Sequence, residues 1–180
     1  MSRKRNICRR DAHTYNPLEK IGSVVRHYTD LRLFVANMVP SCQTLGPGKR
    51  GIIWVSGCSH NCFGCIATSI QDIRSGISIG VEQMAEKILS WNDIEGVTFS
   101  GGEPFEQASA LADLCDILKK QSQLTLMSYS GFTLAELQSS SDPNQQRLLR
   151  HLDILVDGPF IKSLQSDLLW RGSSNQQIFF

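Results

Sequence analysis

Cys58, Cys62 and Cys65 fall within eight residues, at C-x3-C-x2-C spacing, straight after the apolar run Ile52-Ile53-Trp54-Val55. Thiols this crowded cannot form a disulfide framework, so the loop is read as a metal site fed by a strand. Three thiolates can hold three irons of a [4Fe-4S] cluster and leave the fourth iron open for a small molecule. Zinc is the rival. A structural zinc takes four ligands, and His60, squeezed between two of the cysteines, is the local candidate for the fourth. A four-cysteine ferredoxin site needs another cysteine nearby, and none follows. The three-cysteine cluster leaves no ligand unaccounted for.

The chain has 180 residues, 41% hydrophobic and 19% charged. That suits one soluble domain with a real core. No apolar run approaches the roughly 20 residues that span a bilayer, and the basic start lacks the apolar stretch of a secretory signal. The expected setting is cytoplasmic, with no membrane partner. A net charge of +1 makes no case for nucleic acid. Arg3, Lys4, Arg5, Arg9 and Arg10 crowd the first ten residues, either as a solvated tail or as a docking segment for an acidic partner. Cys115 lies in a helical apolar pattern and is expected in the core. Cys8 and Cys42 have no assigned role. His13, His27 and His151 are expected to be structural or surface groups.

Residues 1–30 lack periodicity and are expected to form an extension, partly disordered, to a domain over 31–180. Leu31 to Val39 predicts a strand stopped by Pro40. Gly46-Pro47-Gly48 marks a turn, and Gly51 to Ser56 a short strand. Residues 66–80 are expected to be a loop with a short helix. Val81, Met84, Ala85, Ile88 and Leu89 recur at helical spacing. Gly96 to Phe99 reads as a strand running into Ser100-Gly101-Gly102-Glu103-Pro104, with a helix over about 105–120. Leu124 to Tyr129 is the next strand. Thr133 and Glu136 form a capping box, Gln145 to Leu152 a helix, and Ile154 to Val156 a strand ending at Asp157-Gly158-Pro159. Strand and helix alternate, which predicts a parallel sheet with helices on its face and right-handed crossovers. The carboxyl ends of such strands collect functional residues. The cysteine loop, the Gly-Gly-Glu turn, Ser128-Tyr129-Ser130 and Asp157 all fall there.

A three-cysteine loop after one strand and Gly-Gly-Glu-Pro after another resemble the radical S-adenosylmethionine (SAM) superfamily. Gly64 before the third cysteine, and the stretches SGGEPFEQ (Ser100 to Gln107), DILVDGPF (Asp153 to Phe160) and WRGSSNQ (Trp170 to Gln176), resemble the activating enzymes of anaerobic ribonucleotide reductase. The likeness spans roughly residues 45–180. It implies a partial, open parallel βα barrel. It makes Cys58, Cys62 and Cys65 the ligands of a [4Fe-4S] cluster whose open iron is chelated by SAM. Gly101, Gly102 and Glu103 would lie along the methionine part, with the Glu103 carboxylate pairing with the ammonium. Gly64 and Ile66 would line the adenine side. Ser128 and Ser130 would meet ribose or carboxylate, Asp157 would shape the floor, and Ser173 and Asn175 would lie near the carboxylate.

The implied chemistry is reductive cleavage of SAM to methionine and a 5′-deoxyadenosyl radical, which takes a hydrogen from a backbone glycine of a partner enzyme. A flavodoxin- or ferredoxin-type protein would supply the electron. Modification of a peptide or small molecule, as in deazapurine synthesis, is the enzymatic alternative; a non-enzymatic iron–sulfur or zinc module is the other. Single residues also carry plainer readings. Glu103 can complement a helix dipole, Asp157-Gly158-Pro159 can be a tight turn, Tyr129 can be core, Trp170 can cover apolar surface, and Arg171 can bind a carboxylate or be solvated.

Overall fold

Alternating apolar residues build the strands, because successive side chains of a strand face opposite sides. The computed structural model describes residues 31–180; the basic run, Cys8, His13 and His27 lie outside the described residues. The strands are β1 Arg32–Cys42, β2 Arg50–Val55, β3 Ile77–Gly80, β4 Gly96–Gly101, β5 Thr125–Tyr129, β6 Ile154–Asp157, β7 Gln165–Leu168, β8 Arg171–Ser173 and β9 Gln177–Phe179. The helices are α1 Val81–Leu89, α2 Ala108–Gln121, α3 Leu134–Ser139 and α4 Pro143–His151. One sheet runs β3-β1-β2-β4-β5-β6-β9, and β7 pairs with β8 alone. The central strands β2, β4, β5 and β6 are parallel. The flanking pairs β1–β2, β1–β3 and β6–β9 are antiparallel, which makes the sheet mixed.

Leu126 and Leu155 turn to the helices, where Val55, Val97 and Phe99 join Met84, Ile88, Leu111, Leu114 and Leu118 in the main core. Each such burial is worth about 1.5–3 kcal/mol. Their neighbours Met127, Ile154 and Val156 turn to the other face and pack with Tyr129, Trp170 and Ile178. Cys115 is fully buried in the main core, and burial pushes its thiol pKa far up. α2 is tied to α4 by Arg147, which pairs with Asp113 and Asp116, and by His151 Nε2, 3.1 Å from Asp116. The Thr133–Glu136 capping box opens α3 as expected.

One expectation changes, and two details are added. β1 does not stop at Pro40 but continues to Cys42. The register with β2 shifts between Val39 and Cys42, and β3 pairs only with Arg32–Val35, so the missing proline N–H falls where no ladder bond is required. The expected short helix within 66–80 takes the form of 3-10 turns at Thr68–Ile70 and Ile73–Ser75, followed by the edge strand β3. The C-terminal strands β7, β8 and β9 have three or four residues each, too few to show a period.

Candidate functional site

The parity that sends Val55, Phe99 and Ser128 to the helices sends Trp54, Ser100 and Tyr129 to the opposite face. Trp54 pairs with Ser100 in register, and Phe99 with Ser128, which brings Ser100 beside Tyr129. These three side chains line a cavity of about 560 Å³ at the carboxyl ends of the parallel strands. The cysteine loop forms one wall, with Cys58, Cys62, Cys65, Gly64 and Ile66. Gly101, Gly102, Glu103 and Ser130 form the next. Phe160, Lys162, Trp170 and Arg171 close a third side.

The cysteine loop is pinned at its base. Gly57 N–H donates to Ile70 O (2.9 Å) and Cys58 N–H to Gln71 O (3.0 Å). All three thiols are free and half-buried. Ala67 N–H donates to Cys65 Sγ at 3.3 Å. Burial raises the Cys58 thiol pKa, with Glu103 and Glu106 adding to the effect; bound metal offsets this, because a coordinated thiol is held as thiolate. Gly64 has φ +77°, a left-handed turn just before Cys65 that suits glycine. Among the described residues, no three His, Cys, Asp or Glu side chains gather round one point as a single metal ion requires. A [4Fe-4S] cluster spreads its thiolates over separate irons, so three free thiols bordering one cavity fit it.

The Gly-Gly-Glu turn docks on that loop through backbone. Gly102 N–H donates to Val55 O (2.7 Å) and Glu103 N–H to Gly57 O (2.7 Å). Gly101 has φ +101°, and a Cβ there would lie 2.6 Å from Val55 O; a Cβ on Gly102 would overlap the Gly57 carbonyl. Both glycines therefore allow the turn to sit against the chain that enters the cysteine loop. Glu103 is 1% exposed. It caps the 3-10 turn Pro104–Gln107 by accepting from Phe105 N–H. It also accepts from Ser130 Oγ (3.0 Å) and Gly131 N–H (2.7 Å). Glu106 accepts from Ser59 N–H and Oγ at 2.8 and 2.6 Å. Gln107 bridges Phe34 and Ser56 across β1 and β2.

The remaining expected site residues divide. Ser128 is fully buried on the helix side, donates to Tyr129 O and stands outside the cavity lining. Asp157 accepts from Leu134 N–H (2.6 Å) and Gln177 N–H (3.2 Å), joining α3 and β9, and also lies outside the lining. Ser173 Oγ accepts from Ile161 N–H, and Asn175 donates to Pro159 O, both behind the lining. Tyr129, read from sequence as equally core or contact, lines the cavity instead of Ser128. Its hydroxyl is buried without a hydrogen-bond partner among the described residues, and burial pushes its pKa up to about 12. Arg171 Nε lacks a partner in the same way. Trp54, Lys162 and Trp170 were not marked as site residues. Strand alternation was the signal for Trp54 and Tyr129, and the WRGSSNQ stretch for Trp170; Lys162, in the 3-10 turn before the hairpin, carried none.

Residues 44–179 match the family described as "4Fe-4S single cluster domain". The chain belongs to this family. The anaerobic ribonucleoside-triphosphate reductase-activating protein of Vibrio cholerae is 39% identical over 145 residues, covering 74% of this chain and 88% of the relative. The protein of that name from Escherichia coli K12 is 32% identical over 145 residues, covering 74% and 89%, and that of Enterobacteria phage T4 is 29% identical over 139 residues, covering 74% and 85%. QueE from Escherichia coli superposes with TM-score 0.47 at 16% identity over 58% of this chain and 54% of its own. The chain is thus a radical SAM enzyme, and its cofactors are the [4Fe-4S] cluster and SAM. Among the described residues no helix is long and apolar enough to cross a membrane.

Proposed function

We propose that this chain installs a glycyl radical on a partner enzyme, anaerobic ribonucleotide reductase, by reductive cleavage of SAM. When bound, the cluster supplies the single electron that splits SAM into methionine and a 5′-deoxyadenosyl radical. The observation that carries the reading is one cavity bordered by three free thiols and by the Gly101–Glu103 turn, hydrogen-bonded backbone to backbone. Cys58, Cys62 and Cys65 hold the cluster. Gly101, Gly102 and Glu103 lie along the methionine part of SAM, Ser130 meets its ribose or carboxylate, and Gly64 and Ile66 lie along its adenine side. Tyr129, kept protonated by burial, offers a neutral donor inside the cavity. Trp54, Phe160 and Trp170 keep water from the reacting atoms.

A protein substrate is favoured by the mouth. Phe63, Ile66, Ile161, Leu164, Leu168 and Leu169 are all exposed. Each lines the cavity or adjoins in sequence a residue that does. Exposed apolar surface of this kind marks a protein contact. The reading includes a sheet curved into a partial barrel open at this mouth, a 31–180 catalytic domain with residues 1–30 as its extension, a cytoplasmic setting, and an electron from a flavodoxin- or ferredoxin-type protein. The test is anaerobic incubation of the reconstituted chain with SAM, reductant and the reductase. A glycyl radical signal in electron paramagnetic resonance (EPR), one 5′-deoxyadenosine per radical, is expected. Deoxyadenosine without radical on the reductase would move the reading to another substrate.

A further inference from the structure

His60 lies between two of the cysteines, and the cluster reading gives its side chain no task. Its Nε2 stands 3.3 Å from Oε2 of Glu103, a polar contact that is not aligned as a hydrogen bond. Its ring meets Phe132 edge-on, with centroids 4.5 Å apart and planes at 65°. A Cβ on Gly131 would stand 2.6 Å from His60 Cδ2, so the turn after β5 keeps a glycine where the imidazole lies. The His60 side chain is only 20% exposed.

Glu103 is already engaged on both oxygens. Oε1 accepts from Phe105 N–H and Ser130 Oγ; Oε2 accepts from Gly131 N–H and faces His60. A carboxylate offers about four lone-pair positions. Three are held by donors from the turns after β4 and β5, and the imidazole stands at the fourth. The buried carboxylate is therefore a junction between three segments: the cysteine loop, the Gly-Gly-Glu turn and the turn after β5.

We infer that His60 is a positioning residue that latches the cysteine loop, through Glu103, to the turns that hold SAM. The latch fixes the distance between the cluster-bearing loop and the ligand meeting its open iron. Ser59 with Glu106 holds the same loop at a second point. That contact does not reach the turn after β5. The assignment rests on Cys58, Cys62 and Cys65 holding the cluster and on SAM lying along Gly101–Glu103.

Three variants of the reconstituted holoprotein test it: His60→Ala, His60→Phe and His60→Gln. Iron and sulfide content, equilibrium SAM binding and the SAM-induced change in the EPR spectrum of the reduced cluster are measured for each. All three are expected to keep the wild-type iron and sulfide. His60→Ala and His60→Phe are expected to weaken SAM binding about tenfold, the scale of one lost polar contact, and to alter the SAM-induced spectral change. His60→Gln keeps a polar N–H group facing Glu103 and recovers most of both. His60→Phe matching wild type would overturn the latch, since ring packing alone would then suffice. So would unchanged SAM binding in His60→Ala. If His60→Ala fails to fold, the contrast between Phe and Gln decides, and equal behaviour of those two overturns the assignment. A wild-type protein that takes up no cluster overturns the underlying reading, and the latch with it.

Discussion

The two ends of the parallel strands are built on opposite principles. At the amino end Arg50 is 1% exposed, and burial lowers its pKa. Its Nε donates to Thr98 Oγ1, Nη1 to Pro47 O and Thr125 Oγ1, and Nη2 to Val97 O and Thr125 O. Every guanidinium donor is used, and β2, β4 and β5 are stitched together below the cavity. At the carboxyl end Tyr129 Oη and Arg171 Nε have no partner among the described residues, the thiols are free, and large apolar side chains face solvent. A saturated end has nothing left to bind. The unsaturated end has its partners still to come. Stability and chemistry are thus separable along roughly 17–20 Å of strand, the length of five or six residues.

Substitutions at the two ends should separate the same way. The largest effect is expected at Cys62→Ala, which abolishes the cluster and 5′-deoxyadenosine formation. Its thermal unfolding should stay close to that of the wild-type apoprotein. Arg50→Met should do the reverse. It leaves the acceptors of Val97, Thr125 and Pro47 without their donor and costs about 2–4 kcal/mol, read as a lower denaturation midpoint, while SAM binding per folded molecule persists. Equal loss of SAM binding in Arg50→Met would erase the contrast. Tyr129→Phe is a smaller probe. It removes a hydroxyl that no described group satisfies, so stability should hold or rise slightly while SAM binding weakens by a few-fold; calorimetry and equilibrium binding on one preparation check both. A drop in stability with unchanged binding would place the hydroxyl on the saturated side of the comparison.

The smallest effect is a pH dependence away from both ends. Burial lowers the His151 pKa, opposed by Asp116 and helped by Arg147, Arg150 and Lys119. The unfolded chain then binds the proton more readily than the folded one. Stability should fall as pH drops through the ordinary imidazole value of about 6.5 and level off below the lower folded value. His151→Gln should flatten that decline in denaturant midpoints taken between neutral and mildly acidic pH.

The central elements were legible because their periods are strong. Val81, Met84, Ala85 and Ile88 are buried as their spacing required, and the parallel order of β2, β4, β5 and β6 follows from the alternation of strand and helix. The cysteine spacing marked the loop, and Gly-Gly-Glu marked the turn that docks on it. What sequence hid was direction. Ser128 and Tyr129 are adjacent, and only the register of β5 against β4 and β6 shows which one faces the cavity. It also hid closure: the β7–β8 hairpin that carries Trp170 and Arg171 to the cavity is too short to leave a pattern. The residue type of Glu103 suggested a place beside SAM; the three donors it accepts from, at Phe105, Ser130 and Gly131, are visible only once the turns are assembled.

EPR of the dithionite-reduced, reconstituted protein, recorded with and without SAM, bears most directly on the claim that one cavity holds both cluster and SAM. The account predicts a single reduced [4Fe-4S] signal, absent in Cys62→Ala, whose line shape changes when SAM is added, with methionine and 5′-deoxyadenosine appearing in equal amounts. A cluster signal indifferent to SAM, or stoichiometric zinc in place of iron, would contradict it.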